Sequence, residues 1–265
     1  VCNKHKVPLL IPGVSWMTVA QYSPNIFLGS PLDKWQGHIL SLFTRNHLKK
    51  TKVAILVDPK VSSSLSLLEF FRRDYAKNQG MIVHQENYTT GSEDLRSHIT
   101  NLLNAQPEVI FFPTSDYKDA VLAIETLRQK KWTGPILGTR QWHNPLAIKK
   151  AGVFAQEVFY PVQFSTLIKS QETAQFISEF EKITNRYPSS LAARVYDSFL
   201  LLASAFNKAG TTIPTEITRA LGRSKNIQGL LGPMTMNLEE RFIEKPSMIM
   251  EMTQQGQRVK TVIKP

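Results

Sequence analysis

The sequence predicts an α/β protein built on a parallel sheet whose strands are buried on both faces and flanked by helices. Three observations carry that reading. Short continuous apolar runs recur through the middle of the chain, as at Lys52–Val57 (KVAILV) and residues 109–112 (VIFF). They are too short for core helices and lack the polar alternation of a strand with one wet face. Each run is followed by a stretch with apolar residues at three- and four-residue spacing. Strand and helix alternate in this way over about 110 residues, the order that right-handed crossovers of a parallel sheet produce.

In chain order, residues 8–11 and 26–28 are short apolar runs, and a helix is expected over residues 33–48. After Lys52–Val57 comes the serine-rich turn Ser62, Ser63 and Ser64, then a helix over 65–79 with Leu67, Leu68, Phe71 and Tyr75 on one face. Gly80 stops it, and residues 81–84 read as the next strand. Thr90 and Glu93 stand at capping-box spacing before a helix carrying Leu95, Ile99, Leu102 and Leu103. Pro107 ends that helix, VIFF follows, and Asp116 is a suitable N-cap for a helix over 118–129. A strand at 135–138, a short helix at 145–150 and a strand at 158–160 close the alternating region. Three helices are expected over 172–185, 191–209 and 214–221, the second apolar almost all round (Val195, Phe199, Leu200, Leu201, Leu202, Ala203, Phe206). A helix of that kind needs cover on most of its surface. Gly229 and Gly232 flank a turn. Strands at 234–236, 247–252 and 259–263 follow as an antiparallel set, with Gln255-Gly256 as a hairpin turn.

The chain of 265 residues is 42% hydrophobic and 20% charged, too apolar for disorder. No apolar run approaches the ~18–20 residues that a helical bilayer span requires. Thirty-two basic against 21 acidic residues give a net charge of +11. The basic clusters Lys49-Lys50, Arg72-Arg73, Lys130-Lys131 and Lys149-Lys150 sit at element ends, where they complement helix dipoles. They are not gathered with interleaved aromatics as a nucleic-acid surface gathers them, so no nucleic-acid partner is expected. Cys2 is the single cysteine, which excludes an internal disulfide and a cysteine-based zinc site. The six histidines show no HExxH or HxxxH spacing. No GxSxG, P-loop or post-strand GxGxxG is present; the expectation is a non-enzyme without metal or cofactor. The chain opens on Val1 with no signal peptide to read, so composition does not fix the compartment.

Several motifs, in order, resemble those of the type I periplasmic binding proteins, in particular the leucine/isoleucine/valine-binding group that serves ABC transporters. Val7-Pro8-Leu9-Leu10-Ile11-Pro12-Gly13-Val14-Ser15 resembles that family's "vP-x-i-s-p-x-a-T" strand and loop, and Trp35-Gln36-Gly37 its helix opening. Residues 52–58 (KVAILVD), Gly134-Pro135-Ile136-Leu137-Gly138 and Tyr196-Asp197 continue the series, and 228–237 (QGLLGPMTMN) resembles "G-x-x-G-x-x-x-F-d". The resemblance implies two α/β lobes that close on a ligand about a hinge. One lobe maps to residues 1–50 and 162–246, the other to 51–161 and 247–265. It also marks a departure. About three of the family's N-terminal strands have no counterpart here, some 60–90 residues at ~30 per βαβ unit. The first lobe is therefore expected to be incomplete. A longer chain, a homo-oligomer or other chain supplying the missing strands, or a rebuilt lobe would cover the apolar helix over 191–209.

Ligands of open parallel sheets bind at the carboxyl ends of the strands, which selects four loops. Gly13, Ser15 and Trp16 follow the first strand; the resemblance implies that this loop holds a ligand carboxylate, and a tight turn with a serine cap is the alternative. Ser62, Ser63 and Ser64 sit at a helix N-terminus, where they either receive an anion or cap the helix. Ser115, Asp116 and Tyr117 follow VIFF: Asp116 caps its helix or Tyr117 lines the cleft. Arg140 and Trp142 follow Gly138. The family's amino-acid binders commonly carry an acidic residue here, so Arg140 points to a carboxylated or aromatic acid, with Trp142 stacking on its ring; a surface arginine and a core tryptophan are the alternative. Tyr196 is a hinge, core or ligand-contact residue. The resemblance implies a periplasmic or extracellular solute-binding protein handing a small organic molecule to an ABC transporter permease. The second class considered is a ligand-sensing or protein-interaction module that keeps the fold with a degenerate pocket.

Overall fold

The computed structural model describes residues 2–14, 17–29, 33–168 and 170–264. Its elements run β1 (Leu9–Ile11), α1 (Met17–Gln21), β2 (Ile26–Leu28), α2 (Asp33–Leu42), β3 (Lys52–Val57), α3 (Ser62–Lys77), β4 (Met81–Asn87) and α4 (Arg96–Asn104). They continue with β5 (Val109–Phe111), α5 (Tyr117–Gln129), β6 (Ile136–Leu137), α6 (Pro145–Ala151), β7 (Val158–Val162), α7 (Gln171–Thr184) and α8 (Ser190–Ala209). The last are α9 (Pro214–Gly222), β8 (Ile227–Gly229), β9 (Gly232–Met236), β10 (Ile243–Glu244), β11 (Ser247–Thr253) and β12 (Gly256–Ile263).

The chain forms two compact units: Val1–Leu32 with Gln163–Ser247 and Lys264–Pro265, and Asp33–Val162 with Met248–Ile263. The second unit carries a seven-stranded sheet in the order β12-β11-β7-β6-β5-β3-β4. From β4 to β7 the pairs are parallel, and β11 joins β7 antiparallel. The KVAILV run is buried on both faces from Val53 onward, as a central strand between helical layers must be. Its core gathers Val53, Ile55 and Val57 with Phe71, Tyr75, Phe111 and Phe159.

The first boundary falls at residue 32 where the sequence suggested residue 50. The apolar face of α2, Trp35, Ile39 and Leu40, joins the core of the second unit, and α2 continues into a π-helical turn over Phe43–His47. Gly37 explains the placement. A Cβ there would lie 2.7 Å from the Phe71 backbone nitrogen and 3.1 Å from the Leu67 carbonyl oxygen, so α2 and α3 meet backbone to backbone. His38 Nδ1 and Asp74 Oδ2, 3.1 Å apart, tie the same two helices.

Two helix starts differ from the sequence reading. Helix α3 begins at Ser62 after Val61, with no side-chain cap. Helix α4 begins at Arg96, so Thr90 and Glu93 form no capping box. The Thr90 N–H instead donates to Asp58 Oδ2 at 2.8 Å, and the Gly91 N–H to Asp119 Oδ2 at 3.1 Å. Asp116 does cap α5, accepting from the N–H groups of Lys118 and Asp119.

In the first unit β1 and β2 pair in parallel, and β9 lies between β8 and β10, antiparallel to both. Phe27, Leu201, Leu221, Met234, Met236 and Ile243 form one core, and Phe164, Phe176, Ala193 and Leu230 another. An ion pair sits within this unit: Lys245 Nζ lies 2.8 Å from Asp197 Oδ2, each side chain 2% exposed. Asp197 Oδ1 also accepts from the Leu230 N–H at 3.0 Å. Helix α8 is buried along Ala193, Asp197, Ser198, Leu201 and Ala205. Its opposite face, Leu191, Phe199 and Phe206, is exposed, Phe199 by 66%.

Two stability outcomes follow. Gly37→Ala is expected to lower stability by about 1–2 kcal/mol, because overpacking against backbone exceeds the gain in helix propensity; a urea midpoint that stays put or rises would show that the helices do not meet there. Lys245→Met is expected to cost about 3–5 kcal/mol by stranding a buried carboxylate. Pairing it with Asp197→Leu should recover much of that loss in the same denaturation assay, and a double variant no better than the single would count against the pair.

Candidate functional site

The strand order of the second unit sets where its open edge lies. From β3 the chain crosses through α3 to β4 on one side, while β5 lies on the other side of β3. Loops that leave neighbouring strands in opposite directions open a crevice at the carboxyl ends of those strands. The side chains gathered there come from four segments. Asp33 and Gln36 stand on the first turn of α2, and Ser63, Ser64 and Leu67 on the start of α3. Pro113 and Ser115 follow β5, and Thr139 and Gln141 follow β6. Together they line a concavity of about 20 Å³, room for one water-sized group.

The two strand loops are locked to each other at one atom. The Thr114 carbonyl oxygen accepts from the Thr139 hydroxyl at 2.9 Å and from the Trp142 indole N–H at 3.0 Å. Thr139 Oγ1 in turn accepts from the Gln141 N–H at 3.3 Å. A Cβ on Gly138 would overlap the Trp142 ring, so that position keeps the indole seated below the loop.

The polar corner on α2 is tighter still. Gln36 is 6% exposed. Its Nε2 donates to Asp33 Oδ1 at 3.3 Å, and its Oε1 is buried with no hydrogen-bond partner among the described residues. Burial raises the Asp33 carboxyl above the usual carboxylate range, and the nearby positive charge of Arg140 partly offsets the rise.

The residues singled out in the sequence fall into distinct places. Ser63 and Ser115 line the concavity, beside Ser64. Ser62 is exposed at the first position of α3 and is not among the lining residues. Asp116 spends its carboxylate as a cap. Tyr117 is half-buried, with Lys150 Nζ 6.0 Å from its ring centroid. Arg140 is half-buried at the start of a 3-10 turn, within electrostatic reach of Asp33. Trp142 requires a correction: it is fully buried with its N–H committed to Thr114, so it is a core residue and has no face free to stack on a ligand. In the first unit, Gly13 is exposed after β1, and Ser15 and Trp16 lie outside the described residues. Tyr196 is 37% exposed on α8, its ring centroid 4.8 Å from that of Phe176.

Asp33 and Gln36 were not singled out as site residues. Their signal is a polar pair at i and i+3 on a helix whose neighbouring positions Trp35, Ile39 and Leu40 are core. No group of three His, Cys, Asp or Glu among the described residues is placed to hold a metal ion. No described helix is long and apolar enough to cross a membrane.

The chain belongs to the periplasmic binding protein family, which it matches over residues 1–257. No curated protein sequence matches it. Among solved structures it is similar to the leucine-binding protein LivK of Thermotoga maritima, at 20% identity and a TM-score of 0.81, covering 100% of this chain and 75% of that one. It is also similar to the branched-chain amino acid transporter substrate-binding protein LivJ of Streptococcus pneumoniae, in complex with isoleucine, at 25% identity and a TM-score of 0.76 over 100% and 74%. A third is the solute-binding protein of an ABC transporter from R. palustris in complex with benzoate, at 14% identity and a TM-score of 0.76 over 100% and 73%. The shared fold is the mixed α/β fold of ABC-transporter solute-binding proteins, a mainly parallel sheet flanked by helices.

Trp142→Phe removes the indole N–H and part of the ring from beneath the site loops. It is expected to cost about 2–3 kcal/mol and to speed amide hydrogen exchange at Gln141. Unchanged exchange there would mean that the Thr114 carbonyl does not set the loop.

Proposed function

We propose that the chain is an extracytoplasmic solute-binding protein of an ABC importer, periplasmic or extracellular in location. It takes up a small organic solute, an amino acid or a carboxylated or aromatic acid. Hinge closure retains the solute for delivery to a permease, and no bond is made or broken. The observation that carries this reading is the set of hydroxyl and amide side chains of Ser63, Ser115, Thr139, Gln141 and Gln36, gathered at the switch point of a parallel sheet. Family membership and the neighbours bound to isoleucine and to benzoate support it.

In this proposal the second unit supplies part of the site. Arg140 and Asp33 give the second unit one charge of each sign, which suits a solute carrying both a carboxylate and a donor group. The small volume of the concavity favours a second reading, an interaction module of the same fold with a degenerate pocket.

Thermal denaturation with leucine, isoleucine, benzoate and 3,4-dihydroxybenzoate separates the two. A ligand at a hundred times its Kd contributes about 2.7 kcal/mol, a rise of roughly 5–10 °C in Tm for a chain of this size. Such a rise with one of these compounds, reduced by Ser115→Ala, is the expected outcome. No shift with any of them would favour the interaction module.

A further inference from the structure

We infer that Gln36 sets the class of solute: its amide carbonyl oxygen selects a molecule that presents an N–H or O–H donor to this corner of the site. The inference rests on the solute-binding reading. Three observations lead to it. The Gln36 side chain is more than nine-tenths buried, lines the concavity, and leaves Oε1 without a partner among the described residues. A buried acceptor left unpaired is disfavoured and rare in native structures.

The orientation of the amide is dictated. With Asp33 ionised, its carboxylate only accepts, so the amide nitrogen faces Asp33 Oδ1 at 3.3 Å and the carbonyl turns away from it. The reverse orientation would set two acceptors against each other. None of the hydroxyl and amide side chains that line the concavity with Gln36 donates to Oε1, and the Thr139 hydroxyl donates to the Thr114 carbonyl instead. Its helix neighbours Trp35, Ile39 and Leu40 are core positions, so Gln36 is a buried polar residue set among apolar ones.

The acceptor that Gln36 presents is an uncharged carbonyl oxygen, which places no demand for a cation. A neutral donor serves as well as an ammonium. The class is therefore an amino acid, an amide or a hydroxylated aromatic acid, in preference to a carboxylate with no donor of its own.

The test uses matched pairs differing by one donor group, an ammonium in leucine against 4-methylpentanoate and a hydroxyl in 4-hydroxybenzoate against benzoate, by calorimetric titration of the full chain. The donor-bearing member of the pair that binds is expected to bind on the order of tenfold more tightly or better. Gln36→Met, which keeps length and apolar packing, is expected to bring that ratio to about twofold or less while leaving the melting temperature of the free protein unchanged or higher. A loss of selectivity without a loss of stability is what a merely structural residue would not give. Equal binding of both members by the wild type, or an unchanged ratio in Gln36→Met, overturns the inference and leaves the solute-binding reading standing. If no member of either pair binds the wild type, both fall. Gln36→Leu is the second variant, and failure of both to fold would mark Gln36 as structural and overturn the proposal.

Discussion

The carbonyl oxygen of Thr114 is the atom on which the geometry of the candidate site depends. It ends the apolar run of β5 and has two lone pairs, and both are taken: one by the Thr139 hydroxyl, the other by the Trp142 indole. Two loops that leave adjacent parallel strands are thereby fixed in register beyond the last strand hydrogen bond. Ser115 then stands one residue past the fixed atom, and Gln141 two residues past Thr139. A large buried ring below gives this arrangement its rigidity, and the absence of a Cβ at Gly138 makes room for that ring. The polar groups of the candidate site are thus held from beneath by core packing, the arrangement that keeps a site preorganised.

The third wall depends on a different constraint. Helix α2 brings Asp33 and Gln36 to the same concavity only because Gly37 lets it approach α3 closely. One residue therefore serves packing on one side while its neighbour serves the site on the other. The Asp33–Gln36 contact then converts a charge into an orientation, the carboxylate settling which end of a symmetric-looking amide is presented.

Much of this was legible in the sequence. The runs KVAILV and VIFF announced central strands because nothing polar interrupts them, and Asp116 announced a helix start because its cap is made by local backbone. The capping box at Thr90 and Glu93 was misleading for the opposite reason. The backbone N–H groups of that loop are claimed by Asp58 and Asp119, about thirty residues away in sequence, and no local pattern reports a distant carboxylate. Strands β8 and β10 are two or three residues long, below the length at which alternation can be read. Arg140 could be placed at a strand end, but which side Trp142 takes is decided by tertiary packing. The assignment of α2 was hidden too: its apolar face suits either unit, and only the close approach at Gly37 discriminates.

The sealed ammonium of Lys245 has a consequence for how relatives of this chain can vary. It stands three residues before Met248, where the chain leaves one unit for the other. Adding or removing a single residue between Lys245 and β11 would either pull the charge off Asp197 or shift every side chain of β11 to the opposite face of its sheet. Surface loops absorb such changes in length freely, but this connector tolerates none. Insertions and deletions should therefore accumulate elsewhere in homologous sequences, with the spacing from the lysine to the strand held constant.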